Sequence, residues 1–198
     1  GNGSVALYVK DGATADLSNS PIINIKSTGD ESIGVYNDGG TIKLGTATGS
    51  GDYEIGTKGV LFYNDKKGAI TGTIETSGVN FTVGNGSLFT RITAPSLLPG
   101  SQQIKFTHTG SNTSLNLLTG GTGFIYTGDG VTPVTSTSLG TYFTNNYTGL
   151  NNMNVTVNPG SRLFVIEEYA TMDLTDIGAI SAPSGIFNNV TNLGGGNA

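Results

Sequence analysis

Residues 32–40 read Ser32-Ile33-Gly34-Val35-Tyr36-Asn37-Asp38-Gly39-Gly40, and their pattern recurs on both sides. Superposing Tyr8, Tyr36 and Tyr63 aligns Ser4-Val5-Ala6-Leu7-Tyr8-Val9 with Ser32 to Asn37 and with Lys58-Gly59-Val60-Leu61-Phe62-Tyr63-Asn64, at spacings of 28 and 27 residues. A further step of 27 brings Leu88-Phe89-Thr90 under Leu61-Phe62-Tyr63, with Thr90 in place of the aromatic residue. Periods of roughly 20 to 50 residues mark solenoids and arrays, in which each repeat stacks on its neighbours.

Each period holds two more short apolar alternations. They fall at Ala13–Leu17 and Ile22–Ile25, at Thr41–Leu44 and Tyr53–Ile55, and at Ala69–Ile74 and Val79–Val83. All are bounded by Gly, Asn, Asp or Pro and are too short for helices, so they read as strands. The expected architecture is all-β: a right-handed parallel β-helix of about three short strands per coil. The hand follows the general rule for parallel crossovers. Regular coils are expected over 1–94. A less regular continuation with longer loops is expected over 95–198, with a cap or small subdomain near 160–198. A separate β-sandwich is the alternative for the second half.

Period-two alternation sends Val5, Leu7 and Val9 to one face, with Ile33, Val35, Val60 and Phe62 matching them, and these are expected to line the core. Ala6, Gly34 and Leu61 then fall on the opposite face beside Tyr8, Tyr36 and Tyr63. The three tyrosines should stack outward at about the 4.8 Å strand spacing. Asn37 and Asn64 lie in the inward phase and read as a short asparagine ladder whose amides pair between coils.

Composition agrees with this organisation. Charged residues are 12% of the chain and Gly fills 32 positions, with Thr, Asn and Ser in excess, which suits strands and tight corners rather than helices. With no Cys there is neither a disulfide nor a thiolate metal site, and stability must come from backbone pairing and burial. A net charge of −5, with Lys66-Lys67 as the one basic pair, argues against a nucleic-acid partner. No apolar run approaches the length of a spanning helix, and no signal segment opens the chain. If the protein is secreted, its signal and any membrane anchor are expected outside this sequence.

The second half is less even. Pro95–Gly100 reads as an inserted loop, and strand-like segments resume at Ile104–Thr109, Ser114–Leu118, Phe124–Tyr126, Met153–Val157 and Arg162–Glu167. Gly128–Ser138 reads as a long corner, and Met172–Ile180 as a short capping helix with Asp173 near its positive end.

Few residues point to chemistry. Asp38 and Asp65 align by repeat, as a carboxylate pair or calcium site would, but both stand in turn sequences where Asp caps backbone amides. Glu167 and Glu168 are adjacent, so on a strand they face opposite ways and are expected to be solvated. His108 is the only imidazole and has no partner motif for a triad or a metal site. The Gly-rich calcium nonapeptide is absent, and Gly128-Asp129-Gly130 reads as a turn rather than a phosphate loop. Asn80-Phe81-Thr82 and Asn146-Tyr147-Thr148 match a glycosylation triplet that an Asn- and Thr-rich chain produces by chance. No catalytic residue, metal or cofactor is expected. The one binding candidate is the stripe of Tyr8, Tyr36 and Tyr63, on which a sugar or protein could lie, against a purely structural role in stacking.

The motif Ile33-Gly34-Val35-Tyr36-Asn37-Asp38-Gly39-Gly40, its echo at 60–65 and the Cys-free Gly/Thr/Asn background resemble the passenger regions of large bacterial autotransporter adhesins, the fusobacterial type in particular. The likeness covers about the first ninety residues by motif and the rest by composition. It implies a type V secretion substrate: a right-handed β-helix passenger carried across the outer membrane through a carboxy-terminal barrel that lies outside this sequence, and left on the cell surface. Expected with it are a monomer that is not itself membrane-inserted, no enzymatic activity, and attachment to a protein or glycan on host cells or other bacteria. The rivals are a polysaccharide-degrading lyase or glycosidase and a passive stalk.

Overall fold

In the computed structural model, the described residues are 1–19, 24–45, 51–64, 72–76, 78–93, 104–108, 113–127, 137–138, 147–148, 153–167, 172–173 and 189–192. Among them there are strands and turns but no helix. The chain visits three sheets in rotation. The first holds β1 (Val5–Lys10), β4 (Ile33–Asp38), β7 (Val60–Asn64), β10 (Leu88–Thr93), β13 (Thr122–Thr127) and β17 (Arg162–Glu167), in that spatial order. The second holds β2 (Thr14–Asp16), β5 (Thr41–Lys43), β8 (Gly72–Thr76), β11 (Ile104–His108) and β15 (Tyr147–Thr148). The third holds β3 (Ile25–Ser27), β6 (Gly51–Ile55), β9 (Val79–Val83), β12 (Ser114–Leu117), β16 (Asn154–Val157) and β19 (Asn189–Asn192). A fourth, two-stranded sheet pairs β14 (Thr137–Ser138) with β18 (Met172–Asp173). Every pairing of named strands is parallel, and each strand neighbours the one from the next pass of the chain, an arrangement compatible with a parallel β-helix or solenoid.

One corner recurs between the third sheet and the first. It is Gly56–Gly59, Gly84–Ser87, Leu118–Gly121 and Asn158–Ser161 in four passes, and the five residues Thr28–Ser32 in another. A positive-φ residue marks each pass, at Gly3, Glu31, Lys58, Gly86, Gly120 and Gly160, in steps of 28, 27, 28, 34 and 40 residues. In three of these corners the amide of Ser87, Gly121 or Ser161 closes on the carbonyl three residues back, and Pro159-Gly160 has the composition a type II turn demands. Adjacent corners bond to one another, with Glu31 N–H donating to Thr57 C=O at 3.2 Å and Lys58 N–H to Asn85 C=O at 3.1 Å. A buried serine completes the corner: Ser87 Oγ accepts from Gly59 N–H at 2.9 Å and donates to Gly56 C=O at 2.8 Å. Ser32 and Ser161 occupy the same place, each donating to a corner carbonyl.

The interior holds Val35, Ile42, Leu44, Ile55, Val79, Val83, Leu115, Leu117, Val155 and Val157, all buried. Through it runs a chain of rings from Tyr53 through Phe81, Phe62, Phe89 and Phe124 to Phe164, with successive centroids 5.1 to 5.9 Å apart. Offset and edge-on pairs at this separation add about 0.5–1.5 kcal/mol each beyond burial.

The alternation expected in the first sheet breaks inside each strand. Leu7, Val9, Val35 and Phe62 do pack in or against the core, but Val5 is 43% exposed, and Ile33 and Val60 lie outside the core cluster. Gly34 and Leu61, expected outside, are buried. At four successive levels two consecutive residues are buried: Gly34-Val35, Leu61-Phe62, Phe89-Thr90 and Gly123-Phe124. Two neighbouring side chains of one strand both face inward only where the strand bends, so period two holds on either side of that bend and not across it. The added column mixes glycine with large residues, running Gly34, Leu61, Phe89, Gly123, Leu163. A Cβ on Gly34 would lie 2.7 Å from Leu61 Cδ1, and one on Gly123 3.1 Å from Leu163 Cδ1, so glycine at one level makes room for leucine at the next.

Met172 and Asp173, expected to open a helix, are strand residues of β18. Residues 174–180, Pro95–Gly100 and Gly128–Gly130 lie outside the described residues.

Candidate functional site

The aromatic stripe forms as a row on the first sheet. Tyr8 stands opposite Tyr36, and Tyr36 opposite Tyr63, with ring centroids 4.9 and 5.0 Å apart. Tyr8 is 50% and Tyr63 39% exposed. The row is not flat: the ring planes meet at 71° and 90°, edge against face. Edge-to-face packing brings the positive edge of one ring onto the negative face of the next, so the rings hold one another while their rims face solvent. Tyr8 also donates its hydroxyl hydrogen bond to Asp38 Oδ2 at 2.8 Å.

The continuation of the row differs from the sequence reading. Leu88 pairs with Val60 and Thr90 with Phe62, which puts Arg91, not Thr90, at the level after Tyr63. Arg91 is exposed and its Nη1 lies 3.2 Å from Glu167 Oε2, reaching across β13 to β17. Glu167 is thus partnered rather than simply solvated. Such an exposed pair contributes up to about 1 kcal/mol.

Asn37 is fully buried as its phase requires, and among the described residues its amide pairs within its own pass. Its Oδ1 accepts from Gly40 N–H at 2.8 Å and its Nδ2 donates to Gly40 C=O at 3.0 Å, closing the corner around Gly39 at φ 83°. This is the backbone mimicry at which Asn excels, and it takes the capping role expected of Asp38. Asp38 instead accepts from Tyr8. The carboxylate-pair reading cannot be placed, since Asp65 lies outside the described residues, as do Glu168, Lys66-Lys67 and Asn146. The side chains of Asn64 and of His108, in β11, are likewise outside them. Among the described residues no group of three or more His, Cys, Asp or Glu gathers to hold a metal ion.

A polar ladder that sequence reasoning missed runs along the third sheet. Asp52 N–H donates to Asn24 Oδ1 at 3.0 Å, Asn80 Nδ2 to Asp52 Oδ1 at 3.2 Å, and Ser114 Oγ to Asn80 Oδ1 at 2.8 Å. Its register continues through Asn154 and Asn189. The triplets Asn80-Phe81-Thr82, Asn154-Val155-Thr156 and Asn189-Val190-Thr191 are therefore stacked copies of one another. Phe81 and Val155 are buried between their flanking residues, so strand alternation rather than chance accounts for the recurrence.

Ion pairs tie neighbouring strands elsewhere on the exterior, Lys43 to Asp16 at 3.6 Å and Lys26 to Glu54 at 3.9 Å. The Asp16 carboxyl is held below its ordinary value, first by the Ser18 hydroxyl, then by the Ser18 amide and Lys43.

No family model, curated protein or solved structure matches this chain. Among the described residues, no helix is long and apolar enough to cross a membrane.

Proposed function

We propose that the chain is a right-handed parallel β-helix module, three strands to a pass, that serves as the passenger part of a bacterial surface adhesin of the autotransporter type. Its task is attachment to a protein or glycan on host cells or other bacteria, without catalysis. One observation carries the reading: tyrosines from three successive passes, the outer two exposed and Tyr36 half-buried between them, stand in one row on a stack of parallel strands. Backbone bonds between passes fix that row in place, so a partner meets aromatic rims and hydroxyls already ordered, at little entropic cost. The repeated motif adds the family likeness, which carries the outer-surface location with it.

Solid-phase binding of the purified chain to bacterial and epithelial cells and to immobilised glycans tests the proposal. Binding is expected and should fall at least tenfold in the Tyr8→Ala/Tyr36→Ala/Tyr63→Ala variant. A folded chain that binds none of these surfaces would reduce the module to a spacer. Release of reducing sugar, abolished by Asp38→Ala, would replace adhesion with polysaccharide cleavage.

A further inference from the structure

The tyrosine row continues into a cation. In register, this column of the first sheet runs Tyr8, Tyr36, Tyr63, Arg91, Ile125, Val165, and Arg91 is its one charged residue. Tyr36, Tyr63 and Arg91 lie on β4, β7 and β10, each of which has a strand on both sides, so their arrangement belongs to the body of the stack. Arg91 meets Glu167 through Nη1 at 3.2 Å, and both side chains reach solvent. A solvent-exposed pair of this kind is weakly held, because water screens it and two long side chains must be ordered to make it. A second carboxylate can therefore take the place of Glu167. At the other end of the row, Lys10 and Asp38 stand opposite each other one column to the side, with Asp38 accepting from the Tyr8 hydroxyl. The row thus has a carboxylate beside Tyr8 and a guanidinium in line after Tyr63.

We infer that Tyr36, Tyr63 and Arg91 form one site for a glycan that carries a carboxylate sugar, its neutral sugars lying along the rings and its acid group taken by Arg91 in exchange for Glu167. The inference rests on the adhesion proposal and names the ligand class of that same row. A planar guanidinium offers parallel N–H groups that match the two oxygens of a carboxylate. Each phenol offers an apolar rim and a hydroxyl, which suits the mixture of C–H and O–H groups on a sugar. Ring centroids 4.9 and 5.0 Å apart advance along the stack at close to the rise of one pyranose unit in an extended glycan. With the acid on Arg91, the next sugar falls over Tyr63 and the one after it over Tyr36. An extended peptide would instead dock by pairing with a strand edge, and β4, β7 and β10 offer none, being paired on both sides.

Isothermal titration calorimetry of the purified chain tests the inference, with sialyllactose set against lactose and a hyaluronan oligosaccharide against an N-acetylglucosamine oligomer. At least one acidic glycan should bind about tenfold more tightly than its neutral counterpart, the scale of a hydrogen bond to a charged group. A preference confined to sialyllactose marks a terminal acid, and one confined to hyaluronan an internal uronate. Arg91→Ala should erase the preference and leave the neutral affinity in place. Should that variant fail to fold, Arg91→Lys, which keeps the charge and loses the fork, should retain part of it. Glu167→Gln removes the competing carboxylate and should raise the acidic affinity about two- to fivefold, a gain that a purely structural ion pair would not produce. Lys10→Ala should bind like the parent. Equal affinity for acidic and neutral glycans, lost together in the Tyr8→Ala/Tyr36→Ala/Tyr63→Ala variant, would overturn the inference and leave the adhesion proposal standing. A folded chain that binds none of these sugars would also overturn it, and the cell-binding assay then decides the adhesion proposal separately. Binding of a glutamate-rich peptide with the same dependence on Arg91 would overturn it in favour of an acidic protein partner.

Discussion

Truncating Leu61 to Ala tests the bend in the first-sheet strands. If the strand ran straight, residue 61 would face solvent with Tyr63, and its loss would be felt by less than about 0.5 kcal/mol, as at an ordinary surface position. In the structure Leu61 is fully buried, belongs to the core cluster, and fills the space beside Gly34. Removing a buried leucine side chain costs about 2–5 kcal/mol, from lost transfer free energy and the cavity left behind. Val60→Ala, one residue earlier and outside the core cluster, should cost about 1 kcal/mol or less. Gly34→Ala sharpens the test, because its Cβ would lie 2.7 Å from Leu61 Cδ1 and 2.9 Å from the Leu61 carbonyl oxygen. Overpacking of that kind costs about 1–3 kcal/mol. In the double variant the leucine methyl is gone, so the combined loss should fall short of the sum by about 1 kcal/mol, the remainder coming from the carbonyl contact. Guanidinium unfolding of the four proteins, with the midpoint shifting at constant slope, measures these terms. A Leu61→Ala loss below that of Val60→Ala, or strict additivity with Gly34→Ala, would refute the bend.

Ser87→Ala should cost about 1–3 kcal/mol in the same assay, since it strands the buried Gly59 N–H and Gly56 C=O together. Asn37→Ala should lose a similar amount, whereas Asp38→Ala, which removes the acceptor of the exposed Tyr8 hydroxyl, should stay within about 0.5 kcal/mol. Lys58→Gly should stabilise the corner by roughly 0.5–1 kcal/mol, because a lysine at φ 52° carries a left-handed strain that outweighs the entropy glycine adds to the unfolded chain. Burial pushes the Tyr53 phenol up to about 12 from 10.0, which favours the neutral form in the folded chain. Its contribution, roughly 3 kcal/mol at about 1.4 kcal/mol per unit, is complete below pH 10 and is lost as pH rises towards 12, so Tyr53→Phe should flatten the alkaline limb of a stability-pH profile.

The repeat, the short strands and the alignment of Tyr8 with Tyr36 and Tyr63 were legible because a stacked architecture writes its period directly into the residues. The column beyond Tyr63 was misread by one place. Tyr36 to Tyr63 spans 27 residues where Tyr8 to Tyr36 and Tyr63 to Arg91 each span 28, so extending the shorter step selects Thr90 instead of Arg91. The bend escaped notice because alternation is a rule for a straight strand, and a buried glycine such as Gly34 leaves no apolar mark. The recurring corner was hidden by Glu31 and Lys58, which hold positions where glycine would have announced a positive φ. The interior chain of rings joins residues from different strands, and only folding reveals which phenylalanines share a level.

The corner between the third and first sheets keeps four residues in four passes while the steps around it grow from 28 to 40. Added length therefore enters elsewhere in each pass, and the phase of the stack is reset at every level by the same small device. Such a plan separates inheritance of shape from freedom of sequence: the recurring corner fixes the phase of the stack, while the length of chain between one corner and the next is free to vary.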